Sequence, residues 1–177
     1  FSKRVSEPKS AQTCYDAAGA SGRVPKLFMK NIDFIKTAVQ DYHVGALTKS
    51  SRYTVRAVVK HINPLARVIV EYGAGDGIVT KKLLDRLPPQ GKLAAIEMNK
   101  ALLPHLRRIR DPRLSVIEGD AIMLSKNFGR FGCADTDAVV SSIPFTFLTP
   151  KKREELIHNT RKNLARGGQF IVFQYTP

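Results

Sequence analysis

The run Val68-Ile69-Val70-Glu71-Tyr72-Gly73-Ala74-Gly75-Asp76-Gly77 constrains the chain more than any other segment. An apolar stretch, an acid, then glycines at alternate positions ahead of a helical pattern read as a strand feeding a helix through a tight turn. Glycine is needed where the chain turns sharply and where a ligand has to touch main chain. A bare Gly-x-Gly is weak evidence, since such turns are common in α/β folds; the flanking residues add the weight. A dinucleotide site calls for G-x-G-x-x-G, with a pyrophosphate on the helix N-terminus. Here the spacing is G-x-G-x-G and Glu71 closes the strand. A carboxylate beside the loop repels a pyrophosphate and suits a phosphate-free ligand that carries positive charge.

Downstream, short β-rich runs near 67–72, 92–97, 113–118, 136–141 and 168–175 alternate with helical stretches near 77–87, 99–109, 121–128 and 150–165. This alternation predicts an α/β, Rossmann-like, doubly wound and mostly parallel sheet with helices on both faces. Ligands then bind beyond the carboxyl ends of the strands. Two further strands end in acids. Glu97, twenty residues past Gly77, stands where an acceptor for two ribose hydroxyls is expected. Asp120, within Glu118-Gly119-Asp120-Ala121, can accept from an adenine amine, with Met98 and Ile122 flanking the ring. An acid at a strand end is also an ordinary helix cap, the commoner explanation for Asp120 taken alone. Three such acids behind one glycine loop point to S-adenosyl-L-methionine (SAM), a nucleoside with an ammonium, a sulfonium and no phosphate.

The chain of 177 residues has the size of one compact domain. Residues 1–24 read as a flexible basic arm, 25–64 as amphipathic helices with a lid loop, and 65–177 as the cofactor-binding domain. Within the second segment Phe28, Ile32, Ile35, Val39 and Tyr42 make one apolar helical stripe. Residues 45–51 form the loop, where Ser50 or Ser51 can cap a helix carrying Val55, Val58, Val59 and Ile62. The net charge of +14 attracts polyanions, and nucleic acid and anionic lipid both qualify. Half of that charge falls in residues 1–62, which hold eleven Lys and Arg against four Asp and Glu. Cys14 and Cys133 make neither a disulfide framework nor a metal motif, so a reducing cytoplasm is the default compartment. No apolar run reaches the roughly 20 residues of a membrane-spanning helix. The four histidines show no ligand spacing, and neither a metal nor an obligate protein partner is expected.

Glu71 through Gly77, Glu97 and Gly119-Asp120-Ala121 together resemble the successive motifs of class I SAM-dependent methyltransferases, over about residues 45–177. That resemblance implies SAM as cofactor and a seven-stranded sheet, of which five strands fit before Pro177. After the fourth strand stands Ser141-Ser142-Ile143-Pro144-Phe145. Adenine N6-dimethyltransferases of ribosomal RNA are similar here but place asparagine where this chain has Ser142. Asparagine offers a donor and an acceptor together; serine does not reproduce that geometry. The bacterial phospholipid N-methyltransferase family looks closer. Val44-Gly45-Ala46-Leu47-Thr48-Lys49-Ser50-Ser51 resembles its loop ending in two serines, with Lys49 where proline is common, and Gly167 to Tyr175 resembles its fifth strand.

That likeness implies methylation of an amino headgroup of the phosphatidylethanolamine type, at the inner face of an anionic membrane, by a cytoplasmic peripheral enzyme. The expected cofactor residues are Gly45, Ser51, Glu71, Gly73, Ala74, Gly75, Gly77, Glu97, Met98, Asp120, Ala121 and Ser141. Ser142, Pro144 and Phe145 are the expected acceptor-site residues, and Tyr42, Tyr53 and Tyr175 are further aromatic faces for a methylated ammonium. An RNA adenine methyltransferase is the alternative, and a SAM-binding module without catalysis the third reading.

Overall fold

The computed structural model describes residues 13–16 and 49–173, with side chains from Val55 to Phe173. The elements in chain order are β1 (Thr13–Asp16), α1 (Lys49–His61), β2 (Val68–Tyr72), α2 (Ile78–Arg86), β3 (Lys92–Glu97), α3 (Leu103–Arg107), β4 (Leu114–Glu118), α4 (Ala121–Leu124), β5 (Thr136–Ser141), α5 (Pro150–Asn163) and β6 (Leu164–Val172). Single 3-10 turns lie at Phe128–Phe131 and Phe145–Phe147.

One six-stranded sheet runs in the order β1-β6-β5-β2-β3-β4. Strands β2 to β6 are parallel. From β2 at the centre the chain winds outward through β3 and β4, then returns to place β5 on the other side of β2. That reversal is the switch point of a doubly wound sheet, where the loops after β2 and β5 diverge and leave a crevice. The sheet is Rossmann-like, as the alternating pattern indicates.

The central strands carry consecutive apolar residues, Val68–Val70, Leu93–Ile96 and Ala138–Val140, because both faces are covered, as parallel sheets require. Ile69 of β2 faces a core with Val58 of α1, Ile62 just past its end, Leu83 and Leu84 of α2, and Leu93, Val140 and Ile171 of the sheet. Val70 and Tyr72 face the opposite core, with Ile122 of α4, Phe128, Leu156 of α5, Ile96, Val139 and Phe170. Each buried side chain of this size stabilises the fold by about 1.5–3 kcal/mol. Val58 and Ile62, both 1% exposed, thereby anchor α1 to the sheet. Helix α5 is started by Thr149, whose hydroxyl accepts from Lys152 N–H, and by Pro150 in its first turn.

Several boundaries differ from the pattern of the sequence. Helix α5 stops at Asn163 and β6 begins at Leu164, earlier than the expected 168, because a register shift against β5 lets the strand take up Gly167 and Gly168. Helix α3 is shorter than 99–109, and the stretch 121–128 divides into α4 and a 3-10 turn. Thr13–Asp16, inside the segment expected to lack order, pairs antiparallel with β6 and forms one edge of the sheet. Helix α1 already includes Lys49, so Ser50 and Ser51 lie within its first turn and not at its cap. The amphipathic stripe of 27–42, Gly45, Tyr175 and the side chains of Ser51 and Tyr53 lie outside the described residues. Among the described residues no helix is long and apolar enough to cross a membrane.

Candidate functional site

The loop Gly73–Gly77 leaves the end of β2 held from both neighbouring strands. On the β3 side, Gly73 N–H and Ala74 N–H both donate to the Ile96 carbonyl, at 2.9 and 3.1 Å. On the β5 side, Ser142 N–H donates to the Tyr72 carbonyl at 3.1 Å. The Ser142 hydroxyl donates to the Gly73 carbonyl at 2.6 Å. Gly73, Gly75 and Gly77 all have positive φ, at 72, 60 and 86°, a region that favours glycine. A Cβ on Gly75 would meet only the Gly73 carbonyl, 4.0 Å away, so this glycine opens onto free space. Gly77 is different: a Cβ there would press on Ile109 Cδ1 at 2.8 Å, so Gly77 serves the packing of α2 against α3 and its flank.

Glu97 closes β3 and is 7% exposed. Its Oε2 accepts from Gly75 N–H at 2.8 Å and its Oε1 from Asn99 N–H at 2.7 Å. Each oxygen keeps a second lone pair, so the carboxylate can brace the loop and still accept from a ligand hydroxyl. Glu71 sits deeper, 1% exposed. The Thr80 hydroxyl donates to its Oε2 at 2.6 Å. Burial pushes this carboxyl up to about 8, the Thr80 bond opposes the shift, and the charges of Glu97 and Asp76 add to it. Without positive charge in the crevice, Glu71 is therefore largely protonated at neutral pH, a correction to the fixed carboxylate expected from the strand pattern.

Asp120 is the N-cap of α4, its Oδ1 accepting from Ile122 N–H at 2.8 Å. The helix-cap explanation for this acid thus holds in the structure, and the cap uses Oδ1, with no hydrogen bond to Oδ2 among the described residues. Met98 is 70% exposed and projects from the end of β3, whereas Ile122 and Ala121 are buried at 7 and 4%. Ser141 is fully buried, its hydroxyl accepting from Ile143 N–H at 3.3 Å. Ala74 is buried as well. Pro144 is exposed and introduces the 3-10 turn. Phe145 stacks in a tilted arrangement on Phe170, with centroids 6.2 Å apart.

The fold therefore brings the glycine loop, Glu97, Asp120 and the Ser142–Phe145 segment to one end of the sheet. Ala121, Ile122 and Ser141 are packed behind that surface. Thr80 and Asn99 were not among the expected residues, yet each fixes a carboxyl. The signal for Thr80 was a polar residue on the stripe Thr80, Leu83, Leu84 that α2 buries. A separate cavity of about 340 Å³, lined in part by Lys92, Arg113 and Cys133, lies at the opposite end of the strands. Burial pushes the Cys133 thiol up, with Lys92 opposing, so it is a poor nucleophile. Among the described residues no cluster could hold a metal ion.

A family profile described as a methyltransferase domain matches residues 69–168. Ornithine lipid N-methyltransferase of Singulisphaera acidiphila is 31% identical over 130 residues, covering 72% of this chain and 68% of that protein. Ribosomal RNA small subunit methyltransferase A of Thiobacillus denitrificans is 38% identical over 98 residues, covering 54% of this chain and 36% of that protein. The chain thus spans about a third of the length of that relative. The SAM-bound amino pentose methyltransferase CalS10 of Micromonospora echinaspora superposes with a TM-score of 0.56 at 17% identity, over 87% of this chain and 60% of its own.

The fold and the profile together define the class I SAM-dependent methyltransferases. This chain belongs to the methyltransferase domain family.

Proposed function

We propose that this domain transfers a methyl group from SAM to the amine of a lipid headgroup, of the phosphatidylethanolamine or a related aminolipid type, at an anionic membrane surface. The observation that carries the reading is the state of Ser142. To read an adenine edge, a residue at this place offers a donor and an acceptor together. The single proton of Ser142 is directed to the Gly73 carbonyl at 2.6 Å, so this side chain offers no donor to a base. An aliphatic amine needs only main-chain carbonyls to orient it. The likeness to the ornithine lipid enzyme, longer in both chains than that to the ribosomal RNA enzyme, supports the same choice.

The residues present fit the cofactor. Glu97 retains lone pairs for the ribose hydroxyls, Gly75 leaves an open cradle beside it, and Oδ2 of Asp120 can accept from the adenine amine. When bound, SAM supplies an electrophilic methyl on a good leaving group. The chain then has to align an amine lone pair with that methyl and keep water out. Pro144 and Phe145 form the wall of the acceptor side, with the carbonyls after β5 orienting the amine. The charge of +14 favours approach to an anionic leaflet. Lys151 and Lys152, exposed at the start of α5, stand just past that wall.

The test is methyl transfer from labelled SAM to anionic vesicles containing phosphatidylethanolamine or an aminolipid, and in parallel to structured RNA. Label is expected in lipid. Label in RNA alone would replace this reading with the adenine one, and S-adenosylhomocysteine binding without transfer to either would favour a non-catalytic module.

A further inference from the structure

The pairing of Ser142 with Gly73 joins two segments that the sequence keeps 69 residues apart. At 2.6 Å the hydroxyl bond is at the short end for O–H···O, and a second carbonyl, that of Tyr72, lies 3.3 Å from the same oxygen. The space is also matched. A Cβ on Gly73 would stand 2.9 Å from Ser142 Oγ and 3.3 Å from Ile143 Cγ1, so the missing side chain at 73 is the place the hydroxyl enters. Glycine at this position therefore answers to the acceptor strand as well as to the ligand. The loop is braced from β3 by the Ile96 carbonyl and the Glu97 carboxylate, and from β5 by this hydroxyl.

We infer that Ser142 is a positioning residue for the cofactor loop: its hydroxyl holds the Gly73 carbonyl and makes the glycine loop and the acceptor segment one unit across the switch point. The residue acts on the cofactor through Gly73, and the acceptor amine does not depend on the hydroxyl. Removing it loosens the loop on one side while leaving the β3 brace in place. This inference goes beyond the choice of acceptor and is independent of it, because cofactor binding can be read without any acceptor.

Calorimetry with S-adenosylhomocysteine on the whole chain tests it. Ser142→Ala is expected to weaken binding about tenfold, the effect of one well-formed hydrogen bond, and Ser142→Thr, which keeps the hydroxyl, to restore most of it. In turnover with whichever acceptor is labelled, the KM for SAM rises about tenfold and the KM for the acceptor stays. Gly73→Ala turns the hydroxyl away from the carbonyl, so adding Ser142→Ala to it is expected to cost less than twofold more. Should Ala unfold the domain, Cys, close in volume and a weak donor, is expected to show the same tenfold loss. An unchanged dissociation constant in a folded variant, or full additivity with Gly73→Ala, would overturn the inference. A rise confined to the acceptor KM would place the hydroxyl on the acceptor instead.

Discussion

Neighbouring strands β2 and β3 each carry a glutamate after an apolar run: Glu97 is the last residue of β3, whereas Glu71 is the last but one of β2, which continues to Tyr72 and is not closed by the acid as its pattern suggests. Their carboxyls nevertheless do different things. Glu71 points into the body of the domain, where one hydroxyl donates to it and burial raises it to about 8. Glu97 points at the loop, where two main-chain N–H groups donate to it, one on each oxygen. Burial with a single donor drives the Glu71 carboxyl towards the acid. The residue type is the same, but Glu71 stands opposite Ala95 and Glu97 lies two positions further along the sheet, at the loop; that difference in depth sets which donors each carboxyl meets.

The sharpest way to break that comparison is to remove Glu97. Glu97→Ala frees Gly75 N–H and Asn99 N–H and deletes the acceptor for the ribose. Hydrogen bonds to a charged group are worth about 1.5–3 kcal/mol each, so the affinity for S-adenosylhomocysteine is expected to fall about 100-fold or more by calorimetry. A change below threefold would mean that the β3 end does not hold the cofactor, and that the two acids are not distinguished by use.

Glu71 makes the contrast a matter of pH. Its folded value of about 8 lies above the ordinary 4.5, so the folded chain binds the extra proton. Stability from this group is full below about 4.5 and is lost progressively as pH rises towards 8, by up to about 1.4 kcal/mol per unit. Glu71→Gln removes the ionisation. The melting temperatures of the two proteins are expected to agree near pH 5 and then to separate by about 2–4 °C per pH unit, the variant being the more stable. A gap that does not change with pH would mean that burial does not raise the Glu71 carboxyl. Because positive charge in the crevice returns Glu71 to the anion, binding of SAM near pH 7 is expected to release protons, measurable as a heat that varies with buffer.

The two acids also mark what the chain made legible before its structure. The strands and the doubly wound, mostly parallel class were readable because Val68–Val70, Leu93–Ile96 and Ala138–Val140 are apolar at consecutive positions between helical stretches, as strands covered on both faces are; the strand order, with β6 and β1 beyond β5, comes from the pairing. The loop and Glu97 were readable from spacing along one chain. The protonation of Glu71 was not, because it depends on Thr80 from the next helix and on depth. Nor was the partner of Ser142, since nothing in local pattern ties residue 142 to residue 73. Thr13–Asp16 was missed because its Thr-Cys-Tyr-Asp run has no apolar period of its own and is defined by pairing with β6. Four residues become a strand there because the edge of β6 offers unpaired main-chain groups.

Asp120 gives the smallest effect and tests whether the third strand end follows Glu97 or a purely local logic. As the cap of α4 it accepts from Ile122 N–H, and removing such a cap costs about 1 kcal/mol. Asp120→Ala is therefore expected to lower the melting temperature by about 2–4 °C. Asp120→Ser restores the cap, since serine serves there as well as aspartate. Oδ2, which the cap does not use, decides the rest. If it accepts from the adenine amine, both variants lose several-fold in S-adenosylhomocysteine affinity although only Ala loses stability. If the two variants differ in stability and share the parent affinity, Asp120 is a helix cap alone, and the cofactor is held at the ends of β2 and β3 without the end of β4.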